Sequence, residues 1–320
     1  MEKIMRKLLL FIIIGWMSGI GFYGCSNTGS DSRENGDTDT VTDTDADSDA
    51  DSASDSDTDT DSDTDTDSAS GFQANCIEKP SDCGYPDETN TGVPSGTILT
   101  DSGSITVTEN GAVIENRNVV GSITILADNV TIRNTRITSD SYYPIRYFDN
   151  DNVGLLIEDS EIIGTNSDVT AGVSFNDYTL RRVNIHGGAD GIKADSNVII
   201  EDSYIHDLAV GPATHNDGIQ TTGGSNVTIK HNTCKLSTID GDVNACIQMG
   251  NESGNGNDDW FVTENLFDGG GWTINASDYG TNRVFTNNRF TRNAGYGPGS
   301  VSSSTWTGNY YDDNQDVVGE

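Results

Sequence analysis

The chain has 320 residues, with 17 Lys and Arg residues against 51 Asp and Glu residues and a formal net charge of -34 at pH 7. An acidic chain without a basic stripe argues against DNA, RNA and anionic lipid surfaces as ligands, because nothing would replace the phosphate counterions. A polyanionic ligand would need local positive charges, so each Lys or Arg on a binding face is informative.

Residues 1–24 are predicted to be an export signal, since three basic residues precede an apolar run over 8–23. The run ends at Gly-Cys, which resembles a bacterial lipobox and implies a single lipid anchor at Cys25. By the same resemblance, Ser26 implies the outer membrane or the cell surface. Phe22 stands where an aliphatic residue is usual, which keeps open an ordinary secretory peptide with a chance cysteine.

Residues 25–70 are predicted to be a disordered tether. Over 31–70, Asp alternates with Ser, Thr and Ala. This segment contains sixteen acidic residues and a single basic residue, Arg33. Such a segment cannot bury enough apolar surface to offset its ordering entropy. Calcium structuring is the alternative, but the glycine and hydrophobic positions of a calcium-binding loop are missing.

The five cysteines fit an exported protein. With Cys25 assigned to the lipid, Cys76 and Cys83 are close enough in sequence to form a disulfide in the predicted cap region, 71–104. Cys234 and Cys246 remain, but the strand pattern predicts that Cys234 faces inward and Cys246 outward. Their pairing is therefore left open.

Residues 105–320 repeat one pattern: an apolar residue, two variable residues, a small or polar residue, a variable residue and another apolar residue. The copies lie at 132–137, 157–162, 180–185, 200–205, 229–234, 262–267, 285–290 and 306–311. Their spacing of about 20 to 33 residues suits one coil of three short strands with loops inserted at one corner. We therefore predict an all-β fold, a right-handed parallel β-helix of about eight to nine coils.

Two sets of residues follow from this register. One buried stack is predicted to contain Ile132, Ile157, Leu180, Ile200 and Ile229. A tight turn in which asparagine adopts left-handed backbone angles and stacks in a ladder is predicted for Asn232, Asn265, Asn288 and Asn309.

A second short strand precedes each copy, and its middle residue is apolar. The third residue should then face outward, which predicts a surface column of Arg146, Ser174, Lys193, Gln220, Gln248 and Asn275. An ordinary solvated face is the alternative. A lysine and an arginine in line with amide side chains are, however, the donors that sugar hydroxyls and carboxylates require.

The loops that enter these strands add titratable side chains. Asp190 and Asp217 hold equivalent places before Gly-Ile, so they should stack on adjacent coils, where capping of turns is the structural alternative. His215 lies two residues before Asp217. His186 and His206 should form a stacked structural pair rather than a metal site, since no complete ligand set is visible.

Over 90–315 the chain resembles the pectate-lyase-like superfamily of right-handed parallel β-helices. The segments at 143–146, 190–193 and 215–220, which include Tyr143, resemble those of bacterial right-handed β-helix repeat proteins. Members of the superfamily include uronate lyases, epimerases, glycoside hydrolases and non-catalytic surface proteins. The resemblance therefore implies the fold and leaves the reaction to the site.

The favoured hypothesis is β-elimination or C5-epimerisation on an acidic polysaccharide, which needs a base and a cation that stabilises the enolate. Lys193 or His215 is the expected base, Arg146 the carboxylate clamp and Asp217 the orienting group. The expected substrate-binding residues are Gln220, Gln248, Asn275, Tyr143 and Asp190. Whether Asp190 and Asp217 hold a calcium ion is left open. Substitution of Lys193, His215 or Arg146 should leave folding intact, because all three are predicted to be surface side chains.

Two alternatives compete with this hypothesis. Asp190 and Asp217 could serve as acid and base of a polygalacturonase-like hydrolase, although the paired aspartates and the Gly-His-Gly run of that family are missing. A non-catalytic, glycan-binding or adhesive surface protein would bind without turnover. We expect a monomer in each case.

Overall fold

A computed structural model describes residues 72–147, 152–212, 214–237, 243–276 and 278–319. Over these residues the chain forms a right-handed parallel β-helix, as the repeat predicts. The export signal, the tether and the lipidation at Cys25 lie outside the described residues.

Four parallel sheets make up the walls of the solenoid. The ten-stranded sheet contains Thr100–Ser102, Arg117–Val120, Arg136–Ser139, Glu161–Gly164, Asn184–His186, Tyr204–His206, Thr233–Lys235, Leu266–Asp268, Arg289–Phe290 and Tyr310–Tyr311. The nine-stranded sheet contains Val113–Glu115, Thr131–Arg133, Leu155–Glu158, Tyr178–Arg181, Val198–Glu201, Val227–Lys230, Trp260–Thr263, Arg283–Thr286 and Thr305–Thr307. The third wall consists of a three-stranded sheet (Ile105–Val107, Ile123–Ile125, Ile145–Arg146) and a six-stranded sheet (Ala171–Val173, Asp190–Lys193, Asp217–Thr221, Ala245–Met249, Trp272–Ala276, Gly297–Ser300).

The core follows the predicted register. The residues of the predicted stack pair directly across neighbouring strands of the nine-stranded sheet, and all are fully buried: Ile132, Ile157, Leu180, Ile200 and Ile229. A second stack on the ten-stranded sheet contains Ile137, Ile162, Ile185 and Ile205. Branched side chains suit such pleated positions, and both stacks belong to one core that is continuous along the solenoid axis.

The turn between the nine-stranded and ten-stranded sheets, which we call the regular corner, has two residues in every coil from Arg133 onward. The predicted asparagine ladder is confirmed there. Asn232, Asn265 and Asn288 each donate Nδ2 to the Oδ1 of the next asparagine at 3.0, 2.9 and 3.1 Å. The four ladder asparagines are almost completely buried.

The expected backbone angles of this ladder were wrong by one position. The left-handed residues are the ones that precede the ladder asparagines: His231, Glu264, Asn287 and Gly308. The left-handed residue makes the turn, and the following asparagine then points inward, where its amide satisfies buried backbone carbonyls such as Ile200 O.

Both disulfides form, Cys76 with Cys83 and Cys234 with Cys246. The outward orientation expected of Cys246 was wrong, because its side chain is fully buried. The strand bends there, so that two successive residues face the interior. The same bend occurs one coil earlier at Gly218, where a Cβ would lie 2.7 Å from Cys234 Sγ.

Residues 72–99 form a strap that runs along the solenoid from its last coil to its first. Asn75 N donates to Asp312 O at 2.8 Å, Tyr85 stacks on His231 at 5.4 Å, and Gly92 N donates to Arg182 O at 2.9 Å. The strap contains the 3-10 helices Cys76–Glu78 and Pro80–Cys83. No helix in the described part of the chain is long and apolar enough to cross a membrane.

Candidate functional site at the variable corner

The loops between the ten-stranded and six-stranded sheets form the variable corner, where three to ten residues join the strands of each coil. A cleft of about 910 Å³ opens in this corner. It is lined by Thr214, His215, Leu236, Ser237, Val243, Asn244, Gly269, Gly270, Gly271, Asn293, Gly295 and Tyr296. Of the four predicted catalytic residues, the described cleft contains His215.

One backbone ladder organises the cleft. Asn244 N donates to His215 O at 2.8 Å, Gly271 N to Asn244 O at 2.8 Å, and Tyr296 N to Gly271 O at 2.7 Å. These four residues therefore lie on four successive coils and form what we call the cleft row. At about 4.8 Å per coil, the row is about 14 Å long and parallel to the solenoid axis.

A charged cluster lies beside the His215 end of this row. Lys193 Nζ is 2.5 Å from Asp190 Oδ2, and Asp190 Oδ1 accepts a hydrogen bond from Asp217 N at 2.9 Å. The expected stacking of the two aspartates on adjacent coils is thus confirmed. Lys193 is only 8% exposed, so the expectation that it is a surface side chain was wrong.

Asp217 is the buried centre of the cluster. Burial, followed by the charge of Asp190, raises the pKa of the Asp217 carboxyl to about 8, although Lys193 and a hydrogen bond from Asn244 oppose the shift. Asn244 Nδ2 donates to Asp217 Oδ1 at 2.8 Å, whereas Oδ2 has no hydrogen-bond partner among the described residues. A protonated Asp217 at neutral pH leaves the Asp190–Lys193 pair electrically balanced.

The register of the predicted column is confirmed in its central part, although Lys193 within it is buried. Lys193, Gln220, Gln248 and Asn275 pair in register across the six-stranded sheet. Asn244 Nδ2 and Asn275 Nδ2 both donate to Gln248 Oε1, at 3.0 and 2.9 Å. The column and the cleft row are therefore connected through Asn244.

The column does not continue as expected beyond Lys193. Ser174 is fully buried and does not face outward, and its strand ends one residue earlier, at Val173. Arg146 is exposed but belongs to the three-stranded sheet, where it pairs with Thr124.

Tyr143, an expected binding residue, lies close enough to Asp190 for the carboxylate to affect its phenol. Its ring meets Phe175 edge to face at 5.7 Å. Burial raises the pKa of the phenol, and the charges of Asp190 and Asp195 contribute to the shift. Asp195 accepts hydrogen bonds from Thr221 Oγ1 and Thr222 N, and burial raises the pKa of its carboxyl.

The predicted histidine pair is confirmed on the ten-stranded sheet. His186 and His206 stack with ring centroids 5.0 Å apart. His206 shares hydrogen bonds with Asp207 and Asn184, and burial lowers the pKa of its imidazole. This pair lies on a different wall from the cleft.

The aspartates of the charged cluster do not fit a calcium ion. Both oxygens of Asp190 already have partners, and the Lys193 ammonium lies beside them. Throughout the described residues, no group of three or more His, Cys, Asp or Glu side chains is placed to hold a metal. No chemical step is therefore assigned to a cation at Asp190 and Asp217.

Sequence reasoning missed Asn244, Trp272 and Tyr296. Asn244 links the cleft to Asp217, and the rings of Trp272 and Tyr296 lie 5.9 Å apart at the far end. The available signal was the glycine run 269–271 with glycines on both sides of Tyr296, since small residues beside aromatic ones mark an open surface.

No protein-family model matches the chain, and no curated protein matches it. What can be said of its function therefore depends on the cleft and the charged cluster.

Proposed function

We propose that the chain is a surface-anchored, carbohydrate-active β-helix of the pectate-lyase-like kind that binds an extended acidic glycan at the variable corner. The observation that carries the proposal is the alignment of His215, on the cleft wall, with a row of amide and aromatic side chains. Amides, exposed backbone and aromatic rings are groups that bind sugar hydroxyls and ring faces. In this proposal the lipid anchor at Cys25 holds the protein at the cell surface.

The proposed reaction begins with removal of the C5 proton of a uronate residue by His215. The electrons pass into the carboxylate to form an enolate, whose collapse forms the double bond between C4 and C5 and breaks the bond between C4 and its glycosidic oxygen. That oxygen takes a proton from the His215 imidazolium or from water and leaves as the hydroxyl of the released fragment. Reprotonation of the enolate from the other face would instead give the C5 epimer. Imidazole is suited to this role, because its ordinary pKa lies near neutrality.

Lys193 suits the role of a remote cation better than that of base, because it is 8% exposed and the described lining of the cleft does not include it. Its ammonium is held 2.5 Å from the Asp190 carboxylate in a buried pair. An ammonium group in this position can stabilise negative charge that develops in the cleft. Asn244 contacts Asp217 and Gln248, and in the proposed site it orients the groups around His215.

The hydrolase alternative is less well supported. An acid and base pair must reach the glycosidic oxygen and a water molecule. Asp217 is fully buried and Asp190 is 7% exposed, and the described lining of the cleft includes neither. Binding without turnover remains the second candidate, since the cleft row supplies contacts for sugar whether or not His215 reacts.

The test is a His215→Gln variant assayed on a panel of polyuronates. We expect turnover to fall by about a hundredfold or more, with unchanged stability, because an exposed side chain contributes little to the core. The matched control is His231→Asn, since His231 lies at the regular corner in a left-handed conformation that asparagine tolerates. An ultraviolet-absorbing double bond identifies elimination, and a changed sugar ratio identifies epimerisation. Reducing ends without the double bond, or full activity of His215→Gln, would overturn the proposed chemistry.

A further inference from the structure

The far end of the cleft row carries two aromatic rings that the solenoid leaves open to solvent. Tyr296 is 77% exposed, and its ring is tilted by 42° against the half-buried indole of Trp272. A large exposed aromatic side chain is costly to leave in water, and one that lines a cleft is a candidate contact surface.

Glycines create the space in which these rings lie. Trp272 pairs in register with Gly297, and a Cβ on Gly297 would lie 2.9 Å from the indole ring. A Cβ on Gly271 would lie 3.2 Å from the Tyr296 ring. Side chains at these two positions would displace the rings. The two glycines therefore allow the rings to pack directly against the backbone.

The backbone of Tyr296 is fixed although its side chain is exposed. Tyr296 N donates to Gly271 O at 2.7 Å, and Gly295 N donates to Gly270 O at 2.9 Å. The ring is therefore presented from two hydrogen-bonded coils, which lowers the entropy lost when a ligand packs against it.

The remaining lining of the cleft indicates what would pack there. Ser237, Asn244 and Asn293 supply hydroxyl and amide groups beside the rings. An apolar peptide would make no use of the polar groups in this lining, whereas a pyranose ring has an apolar face of C–H groups and a rim of hydroxyls. The site thus matches a sugar ring in both polarity and shape.

We propose that Tyr296 and Trp272 form a stacking subsite for a pyranose ring, three coils from His215 along the cleft row. The proposal deepens the proposed function and depends on the glycan-binding part of it. A sugar chain that spans both ends would lie parallel to the solenoid axis over a distance of about 14 Å. The subsite would hold a sugar unit of the chain remote from the reacting one.

The test measures binding of short oligogalacturonates and of neutral cello-oligosaccharides to the full chain by calorimetry and by tryptophan fluorescence. The chain carries His215→Gln so that turnover does not consume the ligand. We expect Tyr296→Ala to weaken binding by about tenfold, as loss of one aromatic contact implies, and Tyr296→Phe to bind almost as tightly as the parent. Trp272 fluorescence should change on binding.

The matched control is Tyr279→Ala, which removes another exposed tyrosine, one outside the described lining of the cleft. It should bind like the parent. Unchanged affinity in Tyr296→Ala, or a wild-type chain that binds neither kind of oligosaccharide, would overturn the subsite. Undiminished turnover in His215→Gln would overturn the proposed chemistry and leave the subsite standing, so the two failures are distinguishable.

Discussion

The regular corner and the variable corner are built from the same coils but differ in what they contribute to the molecule. At the regular corner two residues join the strands, a buried asparagine ladder satisfies the turn, and the strap contacts the turn at Arg182 and His231. At the variable corner the loops have three to ten residues, and a cleft lies between them. The regular corner repeats the same hydrogen-bonded turn from coil to coil. The loops of the variable corner differ in length without disturbing the register of the sheets.

The difference shows how a solenoid separates stability from chemistry. A residue in the asparagine ladder satisfies groups in its own coil and in both neighbouring coils, so any change there is felt over three coils. The loops of the variable corner contact the same sheets through a few backbone hydrogen bonds. Long insertions there cost little loop entropy, which makes this corner suitable for a binding site.

The largest expected loss of stability follows from a substitution in the asparagine ladder of the regular corner. Asn265→Leu should lower the free energy of unfolding by about 4 kcal/mol or more, because it leaves several buried groups without hydrogen-bond partners, among them Asn232 N and Ile229 O. Urea unfolding measures the change. Asn118→Leu is the control, since Asn118 makes its hydrogen bond to Asp101 at the surface, and it should cost about 1 kcal/mol or less. Equal losses in the two variants would contradict a special role for the ladder.

The charged cluster is the one part of the variable corner that should rival this effect. Lys193→Met should cost about 3 kcal/mol, because it leaves the Asp190 carboxylate buried and unpaired. Addition of Asp190→Asn should recover most of the loss. The control is Lys230→Met, whose lysine pairs with Glu264 at the surface and contributes about 1 kcal/mol or less. A fully stable Lys193→Met would show that the pair does not matter for folding.

A smaller effect for each pH unit should appear in the pH dependence of stability. The pKa of Asp217 is raised to about 8 in the folded chain, so between about pH 4 and pH 8 the folded state holds a proton that the unfolded state has released. Stability from this group is therefore present at low pH and is lost as pH rises towards 8, by up to about 1.4 kcal/mol per pH unit. Asp217→Asn should remove that part of the slope. Urea unfolding at a series of pH values measures the stability of both chains. Parallel plots of stability against pH would refute the raised pKa of Asp217.

The fold was predictable from the sequence because the apolar residues of each coil repeat at fixed places on two walls. The third wall was harder to predict, since the strand bend at Gly218 and Cys246 turns two successive residues inward and breaks the alternation on which the pattern depends. Asp190 and Lys193 are three residues apart in one strand and would lie on opposite faces if the alternation were regular, so their ion pair shows that the alternation is broken in this strand too.

The candidate site was only partly predictable. Asp190, Lys193, His215 and Asp217 belong to strands and strand entrances, whose positions follow from the repeat. Asn244 and Tyr296 belong to loops, and their positions depend on backbone hydrogen bonds between coils that no periodicity reports. The position of Arg146 was harder to predict, because the third wall changes from one sheet to another between Arg146 and Ala171.

The smallest expected effect concerns residues 1–70. A chain that begins at residue 71 should remain soluble, with unchanged stability and unchanged activity on a soluble glycan, because the composition of the tether cannot form a core. Thermal unfolding measures the stability, and turnover of the soluble glycan measures the activity. Loss of activity on the soluble substrate would reveal a part for the tether in folding or catalysis.

The strap also determines how the protein would respond to mechanical force. Asp312, in the last coil, accepts hydrogen bonds from Cys76 N and Ile77 N and pairs with the buried Arg289. A pull on the chain before residue 72 is therefore resisted first at the last coil, at the opposite end of the solenoid from Thr100–Ser102. Rupture of those few bonds would peel the strap from the regular corner before any coil opens, so the coils that form the cleft would remain folded while the strap extends under tension.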